Sequence, residues 1–402
     1  MAMLSTINTS SPVPIWLAVI LFAGFTFTRI TKALRLPNVS GFMLAGIIIG
    51  PCCLKLVPKE LIGNMDFVSD IALCLIAFGA GRYFTSKGNI KAGKAFFVTA
   101  FESLFAGALV FAAMHFLFKL SLSLSLILGS IAMATSPAGI MMTIRQYKAK
   151  GSMVDMLMRV IAFDAMLCIP IFSAALACHL GGSMSSMLLP IILNILSAAF
   201  GVICAFVLHF LLKHPSRSSD NRLILTVAML LTLCGVCGLL SVSPLIASIL
   251  FGAVYKKISG DEKIFEQVDA FSPPVMSIFF ILSGMNLDIQ ALMSAGLIGL
   301  AYALIRFFGK YIGAYISLHA LKSDTSVKKN LGIALTPQAG VSIGLAFLAK
   351  RVIPESDADT LMAIVLFAGV LYELTGPTLA KFALKRAGAF GGASKVDAES
   401  KE

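Results

Sequence analysis

Two long stretches of the chain contain no Asp, Glu, Lys or Arg, and they constrain the fold more than any other feature. Residues 165–212 are 48 consecutive residues without a charged side chain, and residues 223–255 are another 33. Since about 20 apolar residues cross a bilayer once, each stretch predicts a pair of membrane spans. The 402 residues are only 13% charged, against about 25% in soluble domains. The sequence therefore predicts an all-α polytopic membrane protein.

Apolar runs separated by charged, proline or glycine positions predict about 13 transmembrane helices. We number these runs as segments 1 to 13. Their approximate limits are 14–29, 37–52, 67–84, 95–118, 122–144, 156–178, 186–212, 222–240, 243–256, 272–287, 291–320, 330–349 and 359–384.

The Lys and Arg residues are distributed unequally among the connections. The connections after odd-numbered segments and the C-terminal end hold 25 of the 32, and the connections after even-numbered segments hold 5. Short cytoplasmic loops carry the excess of positive charge in membrane proteins. This asymmetry predicts an N-terminus outside and a C-terminus in the cytoplasm. It also explains the net charge of +12 without a nucleic-acid partner.

Segments 5 and 12 are interrupted by helix-breaking residues. Segment 5 contains Thr135, Ser136 and Pro137, and segment 12 contains Thr336, Pro337 and Gln338. Proline removes a backbone donor and clashes with the preceding turn, so freed carbonyls and amides need other partners. The two breaks lie seven segments apart, as expected for inverted repeats formed by segments 1–6 and 8–13. Paired breaks of this kind indicate a transporter site near the membrane midplane, although either break alone is also typical of a packed proline kink.

Ionisable residues inside membrane segments indicate function by default. Asp164 is the only acid in the apolar run of segment 6, and its carboxylate can be neutralised by a proton or by a monovalent cation. Arg306 and Lys310 share one face of segment 11. Either is a candidate counter-charge for Asp164 or a support for the unwound backbone, and Lys310 could also extend to the membrane surface. Glu373 is an accessory acid candidate, while Glu102 and Asp70 are weaker ones.

These residues together resemble the cation:proton antiporter family, the sodium/hydrogen exchanger superfamily. The resemblance rests on the ordered set of segment 3 with Phe78 to Arg82, the break at 134–138, Asp164, the stretch 306–310 and the stretch 332–340. It covers nearly the whole chain in the right order.

The resemblance implies two bundles with crossed broken helices 5 and 12, an elevator-like alternating access and a homodimer. It implies a cation site of Asp164, Thr135 and Ser136 that binds Na⁺ or K⁺, supported by the basic residue Arg306 or Lys310. No cofactor is implied. The implied domains are dimerisation bundle 1–94, core bundle 95–180, linker helix 181–221, dimerisation bundle 222–289 and core bundle 290–386. The composition of residues 387–402, rich in Gly, Ala, Ser and charged residues, predicts a disordered cytoplasmic tail.

The chain departs from the family pattern at two positions. Phe163 stands where many members have a second polar or acidic residue, and Ser136 stands where many have an acid. The missing second acid favours electroneutral, one-for-one exchange.

The sequence thus predicts a secondary active transporter, not an enzyme, that exchanges Na⁺ or K⁺ for H⁺ across a prokaryotic inner (cytoplasmic) membrane. Two alternatives stay open. One is an organic-solute or anion symporter on the same inverted-repeat scaffold, since fold does not fix substrate. The other is a non-transporting membrane sensor, which would need a partner protein.

Overall fold

The structure is a computed structural model that describes residues 13–34, 36–84, 92–179, 184–213, 219–240, 242, 244–286, 289–338, 340–350 and 353–390. Over these ranges the protein is almost entirely α-helical. The helices are α1 Val13–Ala33, α2 Asn38–Ile49, α3 Lys59–Asn64, α4 Asp66–Gly81, α5 Ala92–Ala112, α6 Leu122–Met133, α7 Pro137–Gln146, α8 Ser152–His179, α9 Met184–Leu212, α10 Ser219–Leu239, α11 Pro244–Ser259, α12 Lys263–Met285, α13 Ile289–Ala320, α14 Thr325–Ala334, α15 Gly340–Lys350 and α16 Glu355–Arg386.

Each of the thirteen predicted segments overlaps one helix or, for segments 5 and 12, a helix pair. In the described part of the chain, nine helical stretches are long and apolar enough to cross a membrane. The remaining four segments are shorter or broken, namely α2, α4, α11 and the pair α14–α15. The chain is therefore a polytopic all-α membrane protein, as predicted.

The helices pack in two groups joined by α9. In the broken-helix group, α5–α8 and α13–α16, helix α13 packs against both α5 and α16, and α8 packs against α5 and α6. In the outer group, α1, α2, α4 and α10–α12, helix α2 packs against α1 and α12, and α4 packs against α11. Helix α9 contacts mainly α11 and also α8.

Helices of the outer group touch through their backbones at glycines. A Cβ atom added at Gly46 of α2 would lie 2.0 Å from the carbonyl oxygen of Ile281 in α12. One added at Gly252 of α11 would lie 2.1 Å from the carbonyl oxygen of Phe78 in α4. Small residues allow such close approach between membrane helices, and the resulting contacts leave these pairs little freedom to shift.

The contact between the two groups is polar at one end. Arg145 of α7 and Arg82, which follows α4, both pair with Asp269 of α12. Beside them, Gln146 and Asn38 exchange two hydrogen bonds. This polar seam differs from the glycine contacts inside the outer group, because ion pairs and side-chain hydrogen bonds can separate without repacking of an apolar core.

Helix α12 begins at Lys263, although the predicted segment begins at 272. Its first turns carry charged residues and therefore lie outside the apolar run that predicts the segment. These charges are compatible with a helix near the membrane surface because they have partners: Asp269 pairs with Arg82 and Arg145.

The predicted disordered tail 387–402 is ordered in its first four residues. The backbone N–H of Lys150 donates to the carbonyl oxygen of Ala389 at 2.8 Å, and Phe390 stacks on Tyr147 with ring centroids 5.0 Å apart. The apolar residues Ala389 and Phe390 anchor this segment beside the end of α7. Residues 391–402 lie outside the described part of the chain.

Candidate ion-binding site

The two predicted helix breaks lie against each other inside the broken-helix group. Residues 134–136 separate α6 from α7, and the second break begins at Leu335, after α14. The backbone N–H of Ser136 donates to the carbonyl oxygen of Pro337 at 2.8 Å. Thus one break supplies a partner for the other, as unwound backbone in a membrane requires.

Arg306 of α13 binds the carbonyl groups that the breaks leave free. Its Nε donates to Ala132 O at 2.8 Å, its Nη2 to Ala134 O at 2.6 Å and its Nη1 to Thr336 O at 2.7 Å. The guanidinium group also lies 4.8 Å from the ring centroid of Tyr372. Helix C-termini carry partial negative charge and unpaired carbonyl groups. The guanidinium group at the ends of α6 and α14 balances this charge and donates hydrogen bonds to these carbonyls.

Gln338 joins the crossing to α6 and α13. Its Nε2 donates to the carbonyl oxygen of Ile131 and to the hydroxyl oxygen of Tyr302, each at 3.0 Å. Of the predicted broken-helix residues, Pro137 is the first residue of α7, where a missing N–H costs nothing. Pro337 and Thr336 supply the carbonyl groups described above. Direct hydrogen bonds between the two halves of the chain therefore hold the two breaks together.

Asp164 of α8 lies beside this crossing with no exposed surface. The hydroxyl of Thr135 donates to its Oδ2 at 2.6 Å, and the hydroxyl of Ser103 donates to its Oδ1. The Nζ of Lys310 is 2.9 Å from Oδ2. Both carboxylate oxygens thus have donors, and all the donors come from other helices or from the break.

Lys310 also binds a second buried acid, Glu102 of α5. Its Nζ lies 3.1 Å from Oε1 and 3.0 Å from Oε2 of Glu102. Lys310, Glu102 and Asp164 have no exposed surface. One lysine therefore serves two carboxylates, so the ionised cluster carries one net negative charge. The sequence-based alternative that Lys310 extends to the membrane surface is wrong.

The structure separates Ser136 and Glu373 from this cluster. The Ser136 hydroxyl makes no hydrogen bond with Asp164. Instead, Ser136 and Glu373 line a cavity of about 10 Å³ next to the crossing, roughly the space for one water molecule. Glu373 accepts a hydrogen bond from Ser283 of α12 at 3.2 Å. The predicted site residues thus fall into two neighbouring groups, one around Asp164 and one around Glu373.

Sequence reasoning missed Ser103 and underrated its neighbour Glu102. A serine in a membrane helix commonly bonds to its own backbone, so Ser103 gave no signal in the sequence. Glu102 did stand out as an acid in an apolar segment, but nothing in the sequence placed it beside Lys310. The only sequence feature that indicated a polar environment for Glu102 was the serine that follows it.

Comparison with known proteins gives the same architecture. Two structures of the sodium proton antiporter MjNhaP1 from Methanocaldococcus jannaschii share the fold. One, at pH 8, matches with a TM-score of 0.64 and 18% identity over 92% of this chain and 98% of that one. The other, an electron-microscopy structure, matches with a TM-score of 0.71 and 20% identity over 92% and 96%. A search of curated proteins gave no match.

Two crossing helix breaks beside a buried acid are typical of secondary transporters. The family model described as "Sodium/hydrogen exchanger, transmembrane" matches residues 17–381. The chain therefore belongs to the sodium/hydrogen exchanger family, as the sequence resemblance suggested. Members of this family are transporters and not enzymes.

Proposed function

We propose that the protein exchanges a monovalent cation, Na⁺ or K⁺, for H⁺, with Asp164 as the shared binding group. The observation that carries this proposal is the donor set around Asp164. Its carboxylate lies with the hydroxyl oxygens of Thr135 and Ser103 beside a helix break. Oxygen ligands from a carboxylate, hydroxyls and unwound backbone are the groups that bind coupling ions in transporters of this kind.

Competition at one carboxylate couples the two ions. A cation on Asp164 needs the charged carboxylate, whereas a proton neutralises it, so binding of one displaces the other. An ionised Asp164 without either ligand would carry an uncompensated charge through a low-dielectric bundle. Only the loaded forms move, and this restriction produces exchange instead of leak.

The charge balance of the cluster supports electroneutral exchange. Glu102 and Lys310 cancel each other, which leaves Asp164 as the group whose charge is exchanged. One proton or one monovalent cation each brings a single positive charge to it. The site would therefore carry the same charge in both directions.

The arrangement of the helices supports alternating access by movement of the broken-helix group against the outer group. The outer group is held by glycine contacts, while the seam between the groups has polar contacts at one end. We assign the outer group to a homodimer interface, α9 to the linker and the broken-helix group to transport. The charge asymmetry of the loops supports an inner-membrane protein with its N-terminus outside and its C-terminus in the cytoplasm.

An organic-solute symporter is the weaker alternative. The cavity at the crossing has a volume of about 10 Å³, whereas pockets for organic ligands measure roughly 300–1,000 Å³.

The proposal is tested in proteoliposomes that contain a pH-sensitive dye. Addition of Na⁺ or K⁺ should drive proton flux through the wild type, and choline should not. Asp164→Asn should reduce this flux by at least about 100-fold, since it removes the titratable group, while thermal unfolding in detergent shows that the variant is folded. Asp155→Asn, which removes an acid near the start of the same helix, is the matched control and should keep its activity. Full exchange by Asp164→Asn would contradict the mechanism.

A further inference from the structure

Glu373 is a buried acid that the exchange mechanism leaves unused. It lies in α16, and its side chain is almost fully buried, with 8% of the residue exposed. In the described part of the chain its only hydrogen-bond donor is the hydroxyl of Ser283, at 3.3 Å from Oε1 and 3.2 Å from Oε2. Asp164 and Glu102, in contrast, share a lysine. Glu373 therefore has no full positive charge to balance an ionised carboxylate.

The surroundings of Glu373 are apolar or uncharged on every side. The cavity that it lines is completed by Val39, Ser136, Gly139, Phe280, Pro337, Tyr372 and Pro377. Arg306 of α13 faces the ring of Tyr372, which also lines this cavity, but its guanidinium group donates to three backbone carbonyls and not to Glu373. The N-terminus of α7 adds a partial positive charge, but a helix end does not replace an ion pair. A buried carboxylate so placed is neutral unless an ion joins it.

Glu373 also lies where the two helix groups meet. Its own helix belongs to the broken-helix group, whereas Ser283 belongs to α12 of the outer group. One helix turn further on, α16 contacts Pro337 in the second break and Gly139 of α7, which follows the first break. A Cβ atom added at Gly376 would lie 2.8 Å from Pro337, and one added at Gly139 would lie 3.2 Å from Pro377. Any change at the crossing is thus transmitted directly to the part of α16 that carries Glu373.

We propose that Glu373 is a second proton-binding site, which must hold a proton for α16 to move past α12. This inference rests on the proposed exchange function and adds a second titratable group to it. Without its proton, the carboxylate would leave its one hydroxyl partner on α12 and enter an apolar interface as a bare charge. With its proton, it crosses the interface as a neutral group. Glu373 keeps this proton through the cycle, so the one-for-one exchange at Asp164 is unchanged.

The proposal predicts that exchange fails at alkaline pH because Glu373 loses its proton. Glu373→Gln is permanently neutral and nearly the same size. Its maximal rate should stay within about twofold of the wild type, while the alkaline fall in rate should shift by at least about one pH unit or disappear. Glu266→Gln is the control, because Glu266 is an exposed acid on α12; its profile should match the wild type. A purely structural role for Glu373 would not move the pH profile.

Infrared spectroscopy detects the proton on the Glu373 carboxyl group directly, without a transport assay. The difference between the spectra of the wild type and of Glu373→Gln should contain the carbonyl band of one protonated carboxyl group, and this band should decline as the pH rises. An absent band, an unchanged alkaline limb in Glu373→Gln, or loss of exchange at every pH in the folded variant would each overturn the proposal. A wild type that shows the band but exchanges no cation would overturn the proposed function and leave the proton site standing.

Discussion

At the scale of single residues, the position of Glu102 decides how strongly Lys310 competes for Asp164. Lys310 lies within 3.1 Å of carboxylate oxygens of both acids. Because Glu102 offers it a second partner, Lys310 would remain paired if a cation took its place on Asp164, as the proposed exchange requires. Under that proposal Lys310 is a counter-charge that does not block the binding site.

Glu102→Gln should therefore weaken cation binding. Without its second partner, Lys310 pairs only with Asp164 and competes directly with the cation. The KM for the cation should rise about tenfold, equivalent to about 1.4 kcal/mol, while kcat stays within about twofold. The measurement is the cation dependence of proton flux in proteoliposomes.

A double variant separates this electrostatic effect from damage to the fold. In Glu102→Gln/Lys310→Gln the competing charge is gone, so the KM should return toward the wild-type value even though two residues have changed. A double variant with a KM higher than that of Glu102→Gln would show that packing, and not competition, is responsible.

The sequence predicted Asp164, Thr135 and Lys310 as site residues because each is chemically conspicuous where it occurs. Two of them are charged in apolar segments, and one lies in a break. It could not predict that Ser103 joins them or that Ser136 points elsewhere. These contacts depend on how the helices pack against each other. A serine hydroxyl group costs little free energy in a membrane helix, so the sequence alone does not mark it as a site residue.

At the scale of helices, the breaks and the spans followed from composition, but the contacts between helices did not. The pattern of apolar runs located all thirteen segments because water and lipid act on each segment separately. Which helices touch is decided by shape, chiefly at glycines such as Gly46 and Gly252. Helix α12 shows the same limit, since the partly buried charge of its first turns, Asp269, is explained only by Arg82, just after α4, and Arg145 of α7.

Gly46→Ala should destabilise the outer group. The added methyl group would overlap the backbone of α12 at Ile281, and backbone cannot move aside as a flexible side chain can. We expect a loss of about 1–3 kcal/mol in the free energy of unfolding, as for other overpacked cores. The readout is the melting temperature in detergent.

Gly235→Ala in α10 is the matched control for this change. An added Cβ atom at Gly235 meets no other atom within 4 Å, and alanine favours a helix over glycine by roughly 0.5–1 kcal/mol. Its melting temperature should be unchanged or higher. Equal melting temperatures for Gly46→Ala and the wild type would show that α2 and α12 can separate freely, against the idea of a rigid outer group.

At the scale of the whole molecule, the charges that move with the broken-helix group determine whether transport responds to voltage. Arg306 stays bound to backbone carbonyls of the two breaks, and Glu102 and Lys310 form a neutral pair. In the proposed mechanism all three keep their charge during the cycle. Asp164 alone would change its ligand, and each ligand would bring one positive charge, so a full cycle would transfer no net charge across the membrane.

The exchange rate should therefore be independent of membrane potential. A single uncompensated charge would couple to the field by about 2.3 kcal/mol per 100 mV, which would be evident as a large change in the direction and extent of exchange. The test imposes a potential on proteoliposomes with a gradient of a lipophilic ion, which keeps Na⁺ and K⁺ free as substrates, and follows proton flux with the dye. A protonophore added at the end verifies that the potential was present. If flux reverses or changes severalfold with the sign of the potential, the numbers of protons and cations exchanged are unequal, and a group besides Asp164, such as Glu373, must bind and release a proton during transport.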